Sequence, residues 1–312
     1  MNETQPQKAF PSCKDGDDLF SEGLLLPNTI VRGFTIVGVI RSGQSNNVYS
    51  AVSTDGKKVA LKEYFPRKLA RRLPSGRLGV PNEKSKILFE SGKRGFVNEA
   101  IALIEIQSDL LAHYVTAFRE NATAYLVTAL EPGETLEQWA RRLIKSRSFP
   151  SEADLRFIFW ELLHAVQVMH EKGFLHLDIK PSNVIMRDEN TPILIDLGGA
   201  RRYPHSNEIN EVSVSNYTPG FAAPEQHAEK LHDLCPATDI YGIGSSILYC
   251  MTGRIPPLAS ERLKEDKLQD FLSRCSSRYS CQLIRVVSDC MEIDLSNRRG
   301  EIKSLQNEIS SQ

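Results

Sequence analysis

His176-Leu177-Asp178-Ile179-Lys180-Pro181-Ser182-Asn183 places a carboxylate, a cation and an amide in one short segment stiffened by proline, and Asp196-Leu197-Gly198 follows shortly after it. Asp178 can accept a proton from a hydroxyl nucleophile, and Lys180 can neutralise a transferring phosphoryl group. Asn183 and Asp196 offer the oxygen donors that a hard cation such as magnesium prefers. Such a site also needs a phosphate cover, a lysine for the nucleotide and a platform for the substrate.

Upstream, the pattern is one of strands. Phe34–Ile40 is β-rich, Arg41-Ser42-Gly43-Gln44-Ser45-Asn46-Asn47 is a turn-rich loop, and Val48–Val52 is a second strand. After a turn at Thr54-Asp55-Gly56, Val59-Ala60-Leu61-Lys62 forms a third strand that ends on a lysine, so an antiparallel meander is expected. Residues 63–92 look irregular and basic. A helix is predicted over 93–107, with Glu99 amid apolar positions, where a lone carboxylate requires a partner. Val115–Arg119 and Ala124–Ala129 are two more strands. Beyond Glu131-Pro132-Gly133 the chain turns helical. Ser151 and Asp154 have capping-box spacing, Gly173 ends that helix, and Asp239–Met251 is apolar nearly all round, as in a buried helix. Further helices fit 259–273, 280–293 and 300–309.

The 312 residues suffice for one large domain or two lobes, with 41% hydrophobic and 25% charged residues, an ordinary globular balance. A net charge of -1 gives no basic excess directed at nucleic acid or an anionic membrane. The N-terminus lacks a basic-then-apolar signal, and no apolar run reaches the ~18 residues of a membrane span. A cytoplasmic protein is expected, with non-classical secretion left open. The six cysteines form no CxxC pair and suggest reduced, buried or half-buried thiols, with a Cys275–Cys281 bridge or metal site as the minor alternative.

The order of these parts resembles a eukaryotic-type (Hanks-type) Ser/Thr protein kinase over residues 30–310, and the phrase Lys62-Glu63-Tyr64-Phe65-Pro66 resembles a bacterial branch of that family. The resemblance implies an α+β, bilobal protein-kinase fold. Residues 1–29 would be a flexible tail, from which Leu24-Leu25-Leu26 could dock back. Residues 30–131 would form an antiparallel β-sheet N-lobe with one main helix, and 132–312 a mostly helical C-lobe. Lys62 would hold the ATP phosphates with Glu99 as its ion-pair partner. Asp178 would orient the substrate hydroxyl, Lys180 would sit on the γ-phosphate, and Asn183 and Asp196 would bind Mg²⁺. Adenine would lie among Ile40, Val48, Ala60 and Ile185, bonding the backbone at Ala129 and Glu131, with Thr128 guarding the pocket behind it and Gly43 in the phosphate loop. Ala223-Pro224-Glu225 would end the activation segment, Arg298 would pair with Glu225, and Asp239 would prop the catalytic loop. Lys180 and Thr218 match Ser/Thr-directed members, so the implied partner is a protein substrate; Ser182 argues weakly against basic substrates.

The chain departs from the family pattern in places. Arg41 and Asn46 replace the outer two glycines of the phosphate loop, where unusual backbone dihedrals are expected. Leu177 replaces the arginine that clamps a phosphorylated activation loop, so a phosphate on Ser206, Ser213 or Ser215 would lose its usual anchor. Leu197 replaces a phenylalanine and keeps its apolar character. Three other classes compete: a pseudokinase scaffold, a small-molecule phosphotransferase with a similar HxD-x4-N loop, and an adaptor built on the basic stretch 67–94. The first must contend with the presence of Lys62, Glu99, Asp178, Asn183 and Asp196. The second normally lacks Lys180 and the Ala-Pro-Glu segment. For the third, a solvated charge run is the simpler explanation.

Overall fold

Asn47, Tyr49 and Ala51 are buried while their neighbours in the strand Asn46–Val52 are not, the two-residue alternation of a sheet with one face on a core. The computed structural model of the protein describes residues 23–187, 191–203, 217–227 and 233–310. They cluster in two compact units: the chain up to Lys93 with Val115–Leu130, and Arg94–Tyr114 with Glu131 onward.

In the first unit, β1 (Ile30–Val31), β2 (Phe34–Ser42), β3 (Asn46–Val52) and β4 (Lys58–Tyr64) form the expected meander. The later strands β7 (Tyr114–Glu120) and β8 (Thr123–Ala129) complete a six-stranded sheet in the order β1-β2-β3-β4-β8-β7. Between β4 and β7 lies a small hairpin, β5 (Arg71–Arg72) with β6 (Leu78–Gly79), in the stretch expected to be irregular. The sequence 23–26 belongs to this unit: Leu24 and Leu25 are buried in a core with Val31, Tyr49, Leu61 and Phe118. The docking expected of Leu24-Leu25-Leu26 is therefore present for its first two leucines, while residues 1–22 of the tail lie outside the described residues.

The main helix, α1 (Glu83–Ile106), starts ten residues before the expected position of 93. Asn82 caps its first turn, with Oδ1 accepting from Ser85 N at 2.8 Å, and Phe89 buries against Tyr64, their ring centroids 5.2 Å apart. Gly92 lies in this first part, which looked irregular in the sequence. Gly92 faces the Tyr64 ring so closely that a Cβ there would lie 2.2 Å from its hydroxyl, which gives the helix glycine a packing reason.

The second unit is mostly helical: α2 (Leu136–Lys145), α3 (Glu152–Glu171), α4 (Pro224–His227), α5 (Pro236–Thr252), α6 (Ala259–Arg262), α7 (Leu268–Ser273), α8 (Cys281–Cys290) and α9 (Ile302–Ser310). The Ser151/Asp154 capping box forms as read, and Gly253 ends α5 in the left-handed conformation at φ 68°. The single helix expected over 259–273 is broken in two. Arg262 turns inward to the Met291 carbonyl (2.6 Å) and Tyr241 hydroxyl (3.1 Å), and Asp266 both pairs with it and accepts from Leu268 N at the start of α7. Short strands also occur here: β9 (Glu134–Thr135), β10 (Phe174–Leu175), β11 (Val184–Met186), β12 (Pro192–Leu194) and β13 (Arg201–Arg202). The five described cysteines are all free, Cys275 and Cys281 included, so no bridge joins that pair; Cys281 is exposed rather than half-buried.

Candidate active site

Between β10 and the single 3₁₀ turn Pro181–Asn183 the chain has no ladder to satisfy its amides, so side chains must do so. Asp239, buried in the first turn of α5, takes on this task. Its Oδ2 accepts from His176 N at 2.9 Å and its Oδ1 from Leu177 N at 2.7 Å, while Oδ2 also meets His170 Nε2 at 2.8 Å. Leu177 needs the support, because its φ of 64° is left-handed, a conformation that costs a side-chain-bearing residue roughly 1–2 kcal/mol. Burial works to raise the Asp239 carboxyl, but the bond and charge of His170, then His176 and its amide, outweigh it and hold it below the usual range. The His176 imidazole is fully buried, and burial holds it below its ordinary value despite three nearby carboxylates. Its Nδ1 accepts from Asp178 N at 3.2 Å, which fixes a neutral ring protonated at Nε2.

Asp178 sits at the centre of a polar cluster. Lys180 Nζ donates to its Oδ2 at 2.7 Å, Thr218 Oγ1 donates to its Oδ1 at 2.7 Å, and Asn183 Nδ2 donates to its Oδ2 at 3.1 Å and to its backbone carbonyl at 3.0 Å. Lys180 also bonds Thr218 Oγ1. A carboxylate held this way has a fixed rotamer and a cation within hydrogen-bond reach, the geometry of a positioned proton acceptor.

The spacing of Asn183 and Asp196 follows from a hairpin. β11 pairs with β12 in the register Val184↔Leu194, and Ile195 N donates to Asn183 O at 2.9 Å. Asp196 therefore emerges beside Asn183. Its Oδ1 accepts from Gly198 N at 3.1 Å. The Asn183 amide nitrogen donates to Asp178, so the side chain would turn its oxygen, the hard atom of the amide, to a cation. One amide oxygen and one carboxylate make a hard, incomplete ligand set that suits Mg²⁺ completed by phosphate and water oxygens. Leu197 is 1% exposed, as its apolar replacement of phenylalanine requires. Ile185 lies on β11 opposite Thr135. Glu131 is bound by Arg187 at 2.9 Å.

The end of the activation segment is tied down by a buried pair. Arg298 Nη1 and Nη2 reach Glu225 Oε1 and Oε2 at 2.7 and 3.1 Å, bidentate and out of water. Gln226, not singled out from the sequence, is nearly buried and links this end directly to the catalytic loop: its Nε2 donates to the Leu177 carbonyl at 2.7 Å, and its Oε1 accepts from Ala223 N at 2.9 Å. The candidate serines 206, 213 and 215 lie outside the described residues.

In the first unit, strand register sorts the nucleotide candidates. Val48 pairs with Lys62, Lys62 with Leu126 and Ala60 with Thr128, so Val48, Ala60, Lys62 and Thr128 share one face of the sheet. Ile40 sits at a register shift in β2 and is 52% exposed, and Ala129 pairs with Val59. Lys62 and Glu99 are both buried, at 8% and 3% exposed. Gly43 lies at the tip between β2 and β3. No residue from 41 to 47 has a positive φ. The unusual dihedrals expected for this loop are absent, which explains why Arg41 and Asn46 are accommodated where glycines were expected.

The opposite face carries a polar hub that the sequence did not reveal. Glu63, fully buried, accepts from Tyr125 (2.8 Å), Tyr49 (3.0 Å), Arg72 (2.6 Å) and Asn47 (3.5 Å). Burial, then the Glu63 charge, pushes the Tyr49 and Tyr125 hydroxyls up, which keeps both as donors. The solvated charge run expected over 67–94 is thus corrected at Arg72, whose charge is paired in the interior.

Comparison with known proteins agrees with this arrangement. The protein kinase domain family matches residues 34–308. Serine/threonine-protein kinase F of Synechocystis sp. is 31% identical over 172 residues, 51% of this chain and 34% of that protein. Serine/threonine-protein kinase AfsK of Streptomyces griseus is 24% identical over 89% of this chain and 31% of that protein. The chain thus spans about a third of the length of these relatives. Among solved structures, the one described as the PpkA-294 apo form superposes with a TM-score of 0.80 at 28% identity, covering 92% of this chain and 100% of that one. With the family match running almost from β2 to α9, and the kinase-like order of parts embodied in the fold, the chain belongs to the protein kinase family of the eukaryotic (Hanks) type.

Proposed function

We propose that the chain is a Ser/Thr protein kinase of the non-RD type, transferring the γ-phosphoryl group of ATP to hydroxyls of protein substrates. The observation that supports this most is the cluster around Asp178, in which Lys180, Thr218 and Asn183 all bond one carboxylate. Asp178 orients the attacking hydroxyl and accepts its proton. Lys180, already beside that carboxylate, offsets charge on the transferring group. Lys62, with Glu99 as its partner, orients the phosphate tail, and Gly43 belongs to the loop that covers it. Ile40, Val48, Ala60 and Ile185 hold the base, Thr128 stands behind it, and the backbone at Ala129 and Glu131 reads its edge. The lobes assigned are 30–131 and 132–312, with Leu24 and Leu25 of the preceding stretch packed into the core of the first unit.

Asn183 and Asp196 would hold Mg²⁺, which would supply positive charge to offset that of the phosphate groups. Thr218, bonded to both Asp178 and Lys180, orients the pair and faces the substrate hydroxyl in Ser/Thr-directed members. Leu177 cannot clamp a phosphate, and the Gln226 bond to its carbonyl is a charge-free tie between activation segment and catalytic loop. This favours activity without activation-loop phosphorylation.

The test is transfer from labelled ATP with Mg²⁺ to a generic protein substrate, beside Asp178→Ala and Lys62→Ala. Phosphoserine or phosphothreonine that disappears in both variants is the expected result. Nucleotide binding without any transfer, or transfer to small molecules alone, would overturn the reading.

A further inference from the structure

The tip of the β2–β3 hairpin is fastened to the segment that follows β4. Phe65 N donates to Ser45 O at 2.8 Å and Arg67 N to Gln44 O at 2.9 Å. The Arg67 side chain adds to this: Nε donates to Gly43 O at 3.0 Å, and Nη2 donates to Asn47 Oδ1 at 3.1 Å and to Ser42 Oγ. Its guanidinium packs on the Phe65 ring, 5.3 Å from the centroid, and Phe65 is buried. Three consecutive carbonyls at the tip, those of Gly43, Gln44 and Ser45, are thereby all occupied by the 65–67 segment. The N–H groups of Gln44 and Ser45, by contrast, meet no acceptor among the described residues. A backbone whose carbonyls are held on one side and whose amides are unclaimed is a pre-ordered donor set for an anion.

We propose that Arg67 is a positioning residue for the nucleotide: its side chain fastens the Gly43 carbonyl and the flanking Ser42 and Asn47 side chains, completing the hold that the backbone amides of residues 65 and 67 have on the other two carbonyls, so that the Gln44 and Ser45 amides are already set to receive phosphate oxygens. Glycines supply phosphate loops with freedom, and this loop keeps only Gly43 of the expected three. The clamp replaces that freedom with order. Ordering a residue's backbone costs roughly 1–2 kcal/mol, so a tip ordered before ATP arrives saves part of that cost on binding. The guanidinium fork is essential to the arrangement, because it serves three acceptors at once; an ammonium on a flexible stem cannot hold the same geometry.

Arg67 bears on nucleotide grip only if the chain binds ATP as proposed above, so the wild-type protein is measured first. If it binds no ATP, the kinase reading fails, and the inference fails with it. If it binds, Kd for ATP is compared in the full chain for Arg67→Ala, Arg67→Lys and Arg77→Ala. Arg77 is exposed in the same stretch and controls for charge alone. Arg67→Ala is expected to weaken ATP about tenfold, with the loss falling on KM for ATP rather than on KM for the protein substrate. Arg67→Lys restores only part of it, and Arg77→Ala stays within about twofold. Without nucleotide, the amides of Gly43, Phe65 and residue 67 exchange faster in Arg67→Ala, and saturating ATP brings them back toward wild type. Equal Kd in wild type and Arg67→Ala, or equal losses in Arg67→Ala and Arg77→Ala, would overturn the proposal. Should Arg67→Ala fail to fold, Arg67→Lys decides: wild-type Kd and amide exchange in that variant count against the fork.

Discussion

Replacing Arg72 with methionine should be among the most damaging single changes in the first unit, although nothing about Arg72 touches the candidate chemistry. Its side chain is 2% exposed and that of Glu63 0%. Each of its three guanidinium nitrogens donates: Nη2 to Glu63 at 2.6 Å, Nε to Gly23 O at 2.8 Å and Nη1 to Gly76 O at 2.9 Å. Burial works against its charge, and the Glu63 carboxylate more than compensates. Methionine keeps the stem's volume and removes the cation, leaving a buried carboxylate with only neutral donors. Removing one partner of such a pair typically costs about 3–5 kcal/mol, out of a total stability of about 5–15 kcal/mol. At about 2–4 °C per kcal/mol, thermal unfolding should drop by at least about 6 °C. Arg77→Met, at an exposed site in the same basic stretch, should shift it by no more than about 2 °C. The double variant Arg72→Met/Glu63→Leu removes both charges and should recover part of the loss, although Tyr49 and Tyr125 then lack their acceptor. An Arg72→Met protein that melts with Arg77→Met would refute the reasoning, since the pair would then behave as a solvated contact.

Other outcomes follow from the second unit. Gln226→Leu removes the side-chain bond to the Leu177 carbonyl, a loss of about 1–3 kcal/mol if that acceptor stays unmet; steady-state kinetics should show turnover reduced about tenfold, with KM for ATP little changed. Replacing Ser206, Ser213 and Ser215 together with alanine should leave turnover within about twofold, and a collapse would mean that phosphate finds an anchor other than residue 177. The pH dependence has a definite sign. His176 and His227 are both held low by burial, so below about pH 6.5 the unfolded chain takes up protons that the folded chain refuses, and stability falls as pH falls. For the fully buried His176 the slope approaches about 1.4 kcal/mol per pH unit. Asp239 is depressed instead, so its contribution holds through this range and is lost only in acid below its ordinary value of 3.8. The urea midpoint should therefore decrease between pH 7.5 and 5.5, and a flat profile would contradict the buried, neutral His176.

What was legible in the sequence, and what was not, divides along a physical line. The catalytic segment could be read because its groups are close in the chain: Asp178, Lys180 and Asn183 fall within six residues, and a short hairpin brings in Asp196. Local signals of the same kind marked the Ser151 cap and the Gly253 stop. Arg67 and Arg72 looked like members of a solvated run because a charge declares its partner only through the fold. The acceptors of Arg72 lie at Gly23, Glu63 and Gly76, and those of Arg67 at Ser42, Gly43 and Asn47. One clue was present, however. Glu63 follows Lys62 on a strand, and period-two alternation sends the two side chains to opposite faces. If Lys62 faces a nucleotide, Glu63 must face the core, and a core carboxylate demands a cation. Phe65-Pro66-Arg67, directly beyond the strand, then turns the basic stretch back over the hairpin tip. The same strand that offers a lysine to chemistry on one face thus commits a glutamate to structure on the other, and the arginines after it answer that commitment.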